Sequence, residues 1–219
     1  MLSILTACGK RDYSPISHND TIIKHSVEFQ TEAKARNVPS KINRISFAYK
    51  EMNKSTLGTC TILYKTDKQG TYEYGRKIEV NSILWPGLTD TEKDQLITHE
   101  LGHCSLNRPH REGYITISSP SMSQVKLSVM NPIQLRDSSY NDLNRYYLEE
   151  LFNPTVNSLA MVSELLDAPL EYLALYTTTS DTSNASLIQE DESLPIFIDP
   201  KLKHHDCIRI ENIESSPKE

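Results

Sequence analysis

The sequence predicts an α+β fold: a small twisted mixed sheet, a helix bearing a pair of histidines, and a further helix towards the C-terminus. Three β-rich runs lie together between Ile42 and Trp85. A capped helical pattern follows them, and a second strong helical pattern ends at Phe152. No internal repeat is present, so a solenoid or propeller is set aside.

Each element has a local cause. From Asn19 to Asn37 the apolar residues Ile23, Val27 and Phe29 mark a helix that Pro39 closes. In INRISFAY (Ile42–Tyr49), Ile45, Phe47 and Tyr49 alternate onto one face, the period of a strand. GTCTILYK (Gly58–Lys65) is rich in β-formers, and RKIEVNSILW (Arg76–Trp85) alternates Ile78 and Val80. TDKQG between them reads as a hairpin turn. Pro86 and Gly87 then break the third strand. Thr89 is a helix cap, and Glu92 three residues on completes a capping box. Leu96, Ile97, Leu101 and Cys104 supply that helix's apolar face. Residues 107–138 read as irregular. SSYNDLNRYYLEELF (Ser138–Phe152) is the second strong helix, stopped by Asn153 and Pro154. Beyond it NSLAMVSELL reads as helix, TTTSDTSNAS as a flexible linker, and LPIFIDP and DCIRIEN as short strands.

The chain's 219 residues suffice for one domain with an appendage. We divide it into a tether at 1–18, a main domain at 19–153 and a C-terminal extension of unknown role at 154–219. The net charge of −6 gives no basic footprint, which excludes nucleic acid as a partner. Its 11 tyrosines are scattered rather than arrayed for base stacking. Mean hydropathy is −0.48, and no apolar run approaches a membrane span. At the N-terminus, Leu5-Thr6-Ala7-Cys8 resembles a bacterial lipobox with Cys8 as the lipidated residue. Only seven residues precede Cys8, too few for a full signal. The expectation is a truncated lipoprotein signal and export to the periplasm, the outer membrane or the cell surface. Contact with membrane would then be through the lipid anchor alone. The alternative is a frayed N-terminus with an ordinary cysteine. Of the other cysteines, Cys60 and Cys104 are the preferred disulfide, because the strand of one should pack near the helix of the other. Buried free thiols are the rival reading.

The chemistry is concentrated in HELGHCSLNRPH (His99–His110). His99 and His103 are four apart on a predicted helix, so their imidazoles leave one face a turn apart and can grip one Zn²⁺. Glu100 points beside the metal, where a general base for an activated water belongs. Two ordinary histidines on an amphipathic helix are the bland alternative. A catalytic zinc takes three protein ligands and keeps an open position, so a third ligand is required.

At this point the chain resembles the metzincin metalloproteases, whose signature is HExxHxxGxxH followed by a Met-turn. In that family the glycine turns the chain so that the third histidine reaches the metal. Here Leu106 stands at the glycine position and Pro109 at the third histidine, so both functions are displaced by one residue. Asn107 is the next-best residue for the left-handed turn. His110 follows it at the family's own glycine-to-histidine step. The resemblance therefore implies His110 as third ligand, with Pro109 stiffening its approach. Glu112, Glu149 and Glu150 stay open as carboxylate alternatives. KLSVMNP (Lys126–Pro132) resembles the Met-turn, with Met130 as the apolar floor under the histidines. The tyrosine that some members place two residues later is absent, because Pro132 stands there.

The resemblance covers about residues 90–135 and implies a zincin-like catalytic domain over 19–153, with one zinc ion as cofactor. It implies a monomeric zinc metalloendopeptidase acting on peptide or protein substrates, with Glu100 as general base to a zinc-activated water. Two rival readings remain: a non-catalytic zinc-binding or interaction lipoprotein, and a zinc amidase acting on non-peptide amides.

Overall fold

The computed structural model describes residues 21–118, 123–135 and 137–177, and the backbone of 205–206. Cys8, the tether, most of the linker, the strand-like run LPIFIDP and all of DCIRIEN beyond Asp206 lie outside these residues. The fold is α+β.

Helix α1 (Thr21–Ala35) comes first. It buries Ile22, His25, Ser26, Phe29 and Ala33, a stripe of helical period. Val27 lies outside that stripe and is exposed, contrary to its expected place on the apolar face. A 3-10 turn at Ile42–Arg44 then leads into β1 (Ile45–Lys50), so the first strand begins three residues later than its β-rich run. Strands β2 (Gly58–Asp67) and β3 (Gly70–Asn81) form a hairpin, with Gly70 at φ +123° just after the turn. That value is readily available only to glycine. β1 and β3 run parallel, whereas β2 is antiparallel to β3 and carries a bulge at Leu63 and Tyr64. The short β7 (His205–Asp206) adds antiparallel to β2, completing a mixed sheet of order β1-β3-β2-β7.

Helix α2 (Asp90–Leu106) packs across this sheet. The capping box is formed: the Thr89 hydroxyl accepts from the Glu92 backbone N–H at 3.1 Å, and the Glu92 carboxylate accepts from the Thr89 N–H at 2.7 Å. Leu96, Ile97, Leu101 and Cys104 are fully buried with Ile78, Val80 and Leu57 of the sheet region.

The span expected to be irregular contains two of the three strands of a second sheet. β4 (Tyr114–Ile117) pairs antiparallel with β5 (Ser123–Lys126) and with β6 (Leu173–Tyr176). Between β5 and β6 lie α3 (Asp137–Phe152), kinked at Leu143, and α4 (Ser158–Leu166), which packs on α3. Residues 158–177 thus contact the elements that precede them, through α4 on α3 and β6 on β4. Tyr140, Tyr146, Tyr147 and Leu151 fill the core on the α3 side.

Candidate metal centre

Eleven consecutive residues of α2, Gln95 to Ser105, are buried. They include two imidazoles and a carboxylate, and charged groups are seldom fully buried without a partner. The cause lies in the packing. α2 is enclosed by α1, the mixed sheet and the segments that follow it, so even its polar face is covered.

Helix α2 ends where the sequence places its turn. Asn107 is left-handed (φ 57°, ψ 31°), and the Arg108 N–H reaches back to the Gly102 carbonyl at 3.0 Å. The buried Arg76 of β3 fixes this end: its guanidinium donates to the Cys104 carbonyl at 2.6 Å and to Asn107 Oδ1 at 2.5 Å, while Glu73 holds its other edge. The chain then doubles back and brings His110 to the two helix histidines. Ring centroids are 4.8 Å apart for His99 and His103, 5.3 Å for His99 and His110, and 4.6 Å for His103 and His110. One ligand nitrogen from each of the three lies within 4.8 Å of the others.

The tautomers of the helix pair follow from their partners. His99 Nδ1 lies 2.7 Å from the Val129 carbonyl, and His103 Nδ1 lies 2.6 Å from the Arg108 carbonyl. A carbonyl only accepts, so each Nδ1 carries a proton; in the neutral ring, the form that ligates a metal, each Nε2 is then left with a lone pair. Those two Nε2 atoms face one another at 3.1 Å. Burial, then the neighbouring His103, hold the His99 imidazole well below its ordinary pKa and therefore neutral. Two lone pairs at this spacing suit a shared cation: tetrahedral zinc with 2.0–2.1 Å bonds separates its nitrogens by about 3.3 Å. The donor set fits zinc, with both rings oriented by backbone acceptors as metal-ligating histidines commonly are.

The Met-turn residues form a tight turn, closed by the Asn131 N–H on the Ser128 carbonyl at 3.1 Å. Met130 is buried against Gly102, where an added Cβ would stand 2.4 Å from its sulfur. The turn thus packs on the helix at Gly102 and, through Val129, supplies the acceptor that orients His99. Glu150 ties it to the His110 loop, taking Arg111 at 2.6 Å on one oxygen and the Ser128 hydroxyl at 2.5 Å on the other. The Ser128 hydroxyl in turn accepts from the Met130 N–H at 3.0 Å. Tyr146 and Tyr147 donate to the Leu127 and Lys126 carbonyls just upstream.

Among the carboxylates weighed as third ligand, Glu150 serves this anchor, Glu149 pairs with Arg36 at 2.8 Å, and Glu112 is exposed. Glu100 is fully buried, and its carboxylate abuts the start of β2: a Cβ on Gly58 would meet Glu100 Oε1 at 2.8 Å. Cys60, two residues on, is disulfide-bonded to Cys104 of α2, which fixes β2 over the helix. Sequence reading missed Gly58, Arg76 and the anchoring role of Glu150. Their partners are distant in the chain, and none carries a local motif.

Among the described residues a second group, His25, Glu28 and Asp94, also gathers ligand-type atoms between α1 and α2. There the His25 Nδ1 faces two carboxylates, Glu28 at 2.8 Å and Asp94 at 3.2 Å. A protonated imidazole accounts for that geometry. No helix among the described residues is long and apolar enough to cross a membrane. No family model, curated protein or solved structure matches the chain.

Proposed function

We propose that this chain is a zinc-dependent metallopeptidase of the metzincin kind, with His99, His103 and His110 as metal ligands and Glu100 as general base. The observation that carries the reading is the buried pair of Nε2 atoms 3.1 Å apart, with a third imidazole beside them and a buried carboxylate on the same helix.

When bound, the metal supplies Lewis acidity, lowering the pKa of a coordinated water towards about 7 and drawing charge from a carbonyl oxygen. The protein's own groups do the rest. Val129 and Arg108 carbonyls hold two imidazoles in the tautomer that presents Nε2. Met130 and Leu151 pack into the space that Gly102 leaves for want of a side chain, which holds the turn and α3 against the helix that carries the histidines. Glu100 receives the proton that water gives up on attacking a peptide carbonyl, then delivers it to the leaving amine. Its burial excludes bulk water, which keeps the proton for that transfer.

The test is a comparison of zinc-loaded wild type with Glu100→Gln against denatured proteins and a panel of small amides. The wild type is expected to cleave proteins. The variant is expected to keep its zinc and lose roughly 10²–10⁴-fold in rate, the contribution of a positioned general base. Full activity in the variant would remove Glu100 from the mechanism. Cleavage confined to small amides would make the protein an amidase, and zinc bound with no hydrolysis at all would leave a binding role.

A further inference from the structure

Strand β2 has two neighbours in the sheet, β3 on one side and the two-residue β7 on the other. Without β7 its outer edge would present open backbone N–H and C=O groups, the template on which an extended peptide adds as a strand. The position of that edge is what matters. β7 pairs with Thr59 and Cys60. The residue just before them, Gly58, lies against the Glu100 carboxylate, and Cys60 is locked to the same helix by its disulfide to Cys104. The part of β2 that β7 covers is therefore the part held over the catalytic base. A strand added there lies one spacing, about 4.8 Å, from the backbone that touches Glu100.

We infer that the C-terminal segment at His205–Asp206 occupies the place of an extended peptide substrate on the outer edge of β2, so that the chain restrains its own active site. The inference rests on the peptidase reading and adds its regulation. Substrate and β7 need the same outward-facing backbone N–H and C=O on the Thr59–Cys60 stretch, so they bind in competition. The segment is covalently attached and so competes at a high effective concentration. A ladder of two residue pairs is also short enough to be displaced by a longer peptide that pairs along more of β2.

The test uses the full zinc-loaded chain with His205→Pro and Asp206→Pro together. Adjacent N–H groups in a strand point to opposite edges, so the pair of prolines removes whichever one faces β2. Hydrogen exchange is read at residues 58–61 without substrate, and hydrolysis of an extended peptide is read as kcat and KM. The expected result is faster exchange at 58–61, an unchanged kcat, and a KM lower by about tenfold for a segment seated nine-tenths of the time. The same shift is expected in peptide affinity when the prolines are placed in the Glu100→Gln protein, where nothing is cleaved. Exchange that stays slow would show that β7 does not shield this edge and would overturn the inference. Faster exchange with unchanged KM and affinity would overturn it too, while leaving the peptidase standing. Silence of both wild type and variant towards every peptide would instead remove the peptidase reading, and this inference with it.

Discussion

At Gly102 one methyl group more would stand 2.4 Å from the Met130 sulfur and 3.1 Å from Leu151 Cδ1. Two effects oppose each other in Gly102→Ala. Alanine is the better helix former by about 1 kcal/mol, but forcing a carbon into a packed core costs typically 1–3 kcal/mol. Met130 is 2% exposed, so its flexible end can yield only by repacking among buried neighbours, and packing is expected to win by roughly 1 kcal/mol in urea unfolding. Because Val129 of the same turn orients His99, zinc affinity should fall along with stability. Equal stability and equal zinc affinity would mean that the turn does not bear on the helix. This close approach was half legible in the sequence. A glycine inside the histidine motif signals a near neighbour, but only the fold shows that the neighbour is the Met130 side chain. The helix histidines, Glu100 and the Asn107 turn could be placed from local spacing. Gly58, Arg76 and Glu150 could not, because each acts on a partner brought near by tertiary structure alone.

Among the elements, α1 and α2 are clasped at His25. Its Nδ1 faces Glu28 at 2.8 Å and Asp94 at 3.2 Å, and Tyr140 of α3 donates to the same aspartate at 2.9 Å. Burial opposes the charge on His25, but the two carboxylates outweigh it and raise its pKa. A histidine raised in the folded state contributes its full stabilisation below the unfolded value of about 6.5 and loses it as pH rises through the folded value. The stability difference between wild type and His25→Gln should therefore be largest below about pH 6.5 and shrink above it, as read by urea unfolding across a pH series. A difference that does not change with pH would show that His25 is neutral in the clasp. The helices and the first three strands were readable, since their caps, breakers and periods are local. The second sheet was not. β4, β5 and β6 have four residues each, and β6 joins β4 from more than fifty positions away, past two helices. Runs such as LALY fit helix as readily as strand.

For the molecule as a whole, the centre is assembled from parts with little reason to meet unless they share a site. Helix α2 brings two imidazoles and the carboxylate, the loop after Asn107 brings the third imidazole, and the turn before α3 brings Met130 and one orienting carbonyl. The mixed sheet covers the Glu100 carboxylate through Gly58 and is stitched to α2 by Cys60 and Cys104. The sequence showed two histidines and a glutamate at metal-ligand spacing and where the turn after them fell. It could not show that Glu149 and Glu150 are held by arginines, which favours His110 as third ligand in the proposed site. Zinc content per chain, measured side by side for wild type and His110→Ala, tests this assembly most directly. One zinc in the wild type and its loss from the variant is the predicted result. Equal zinc in both proteins, or none in either, would contradict it.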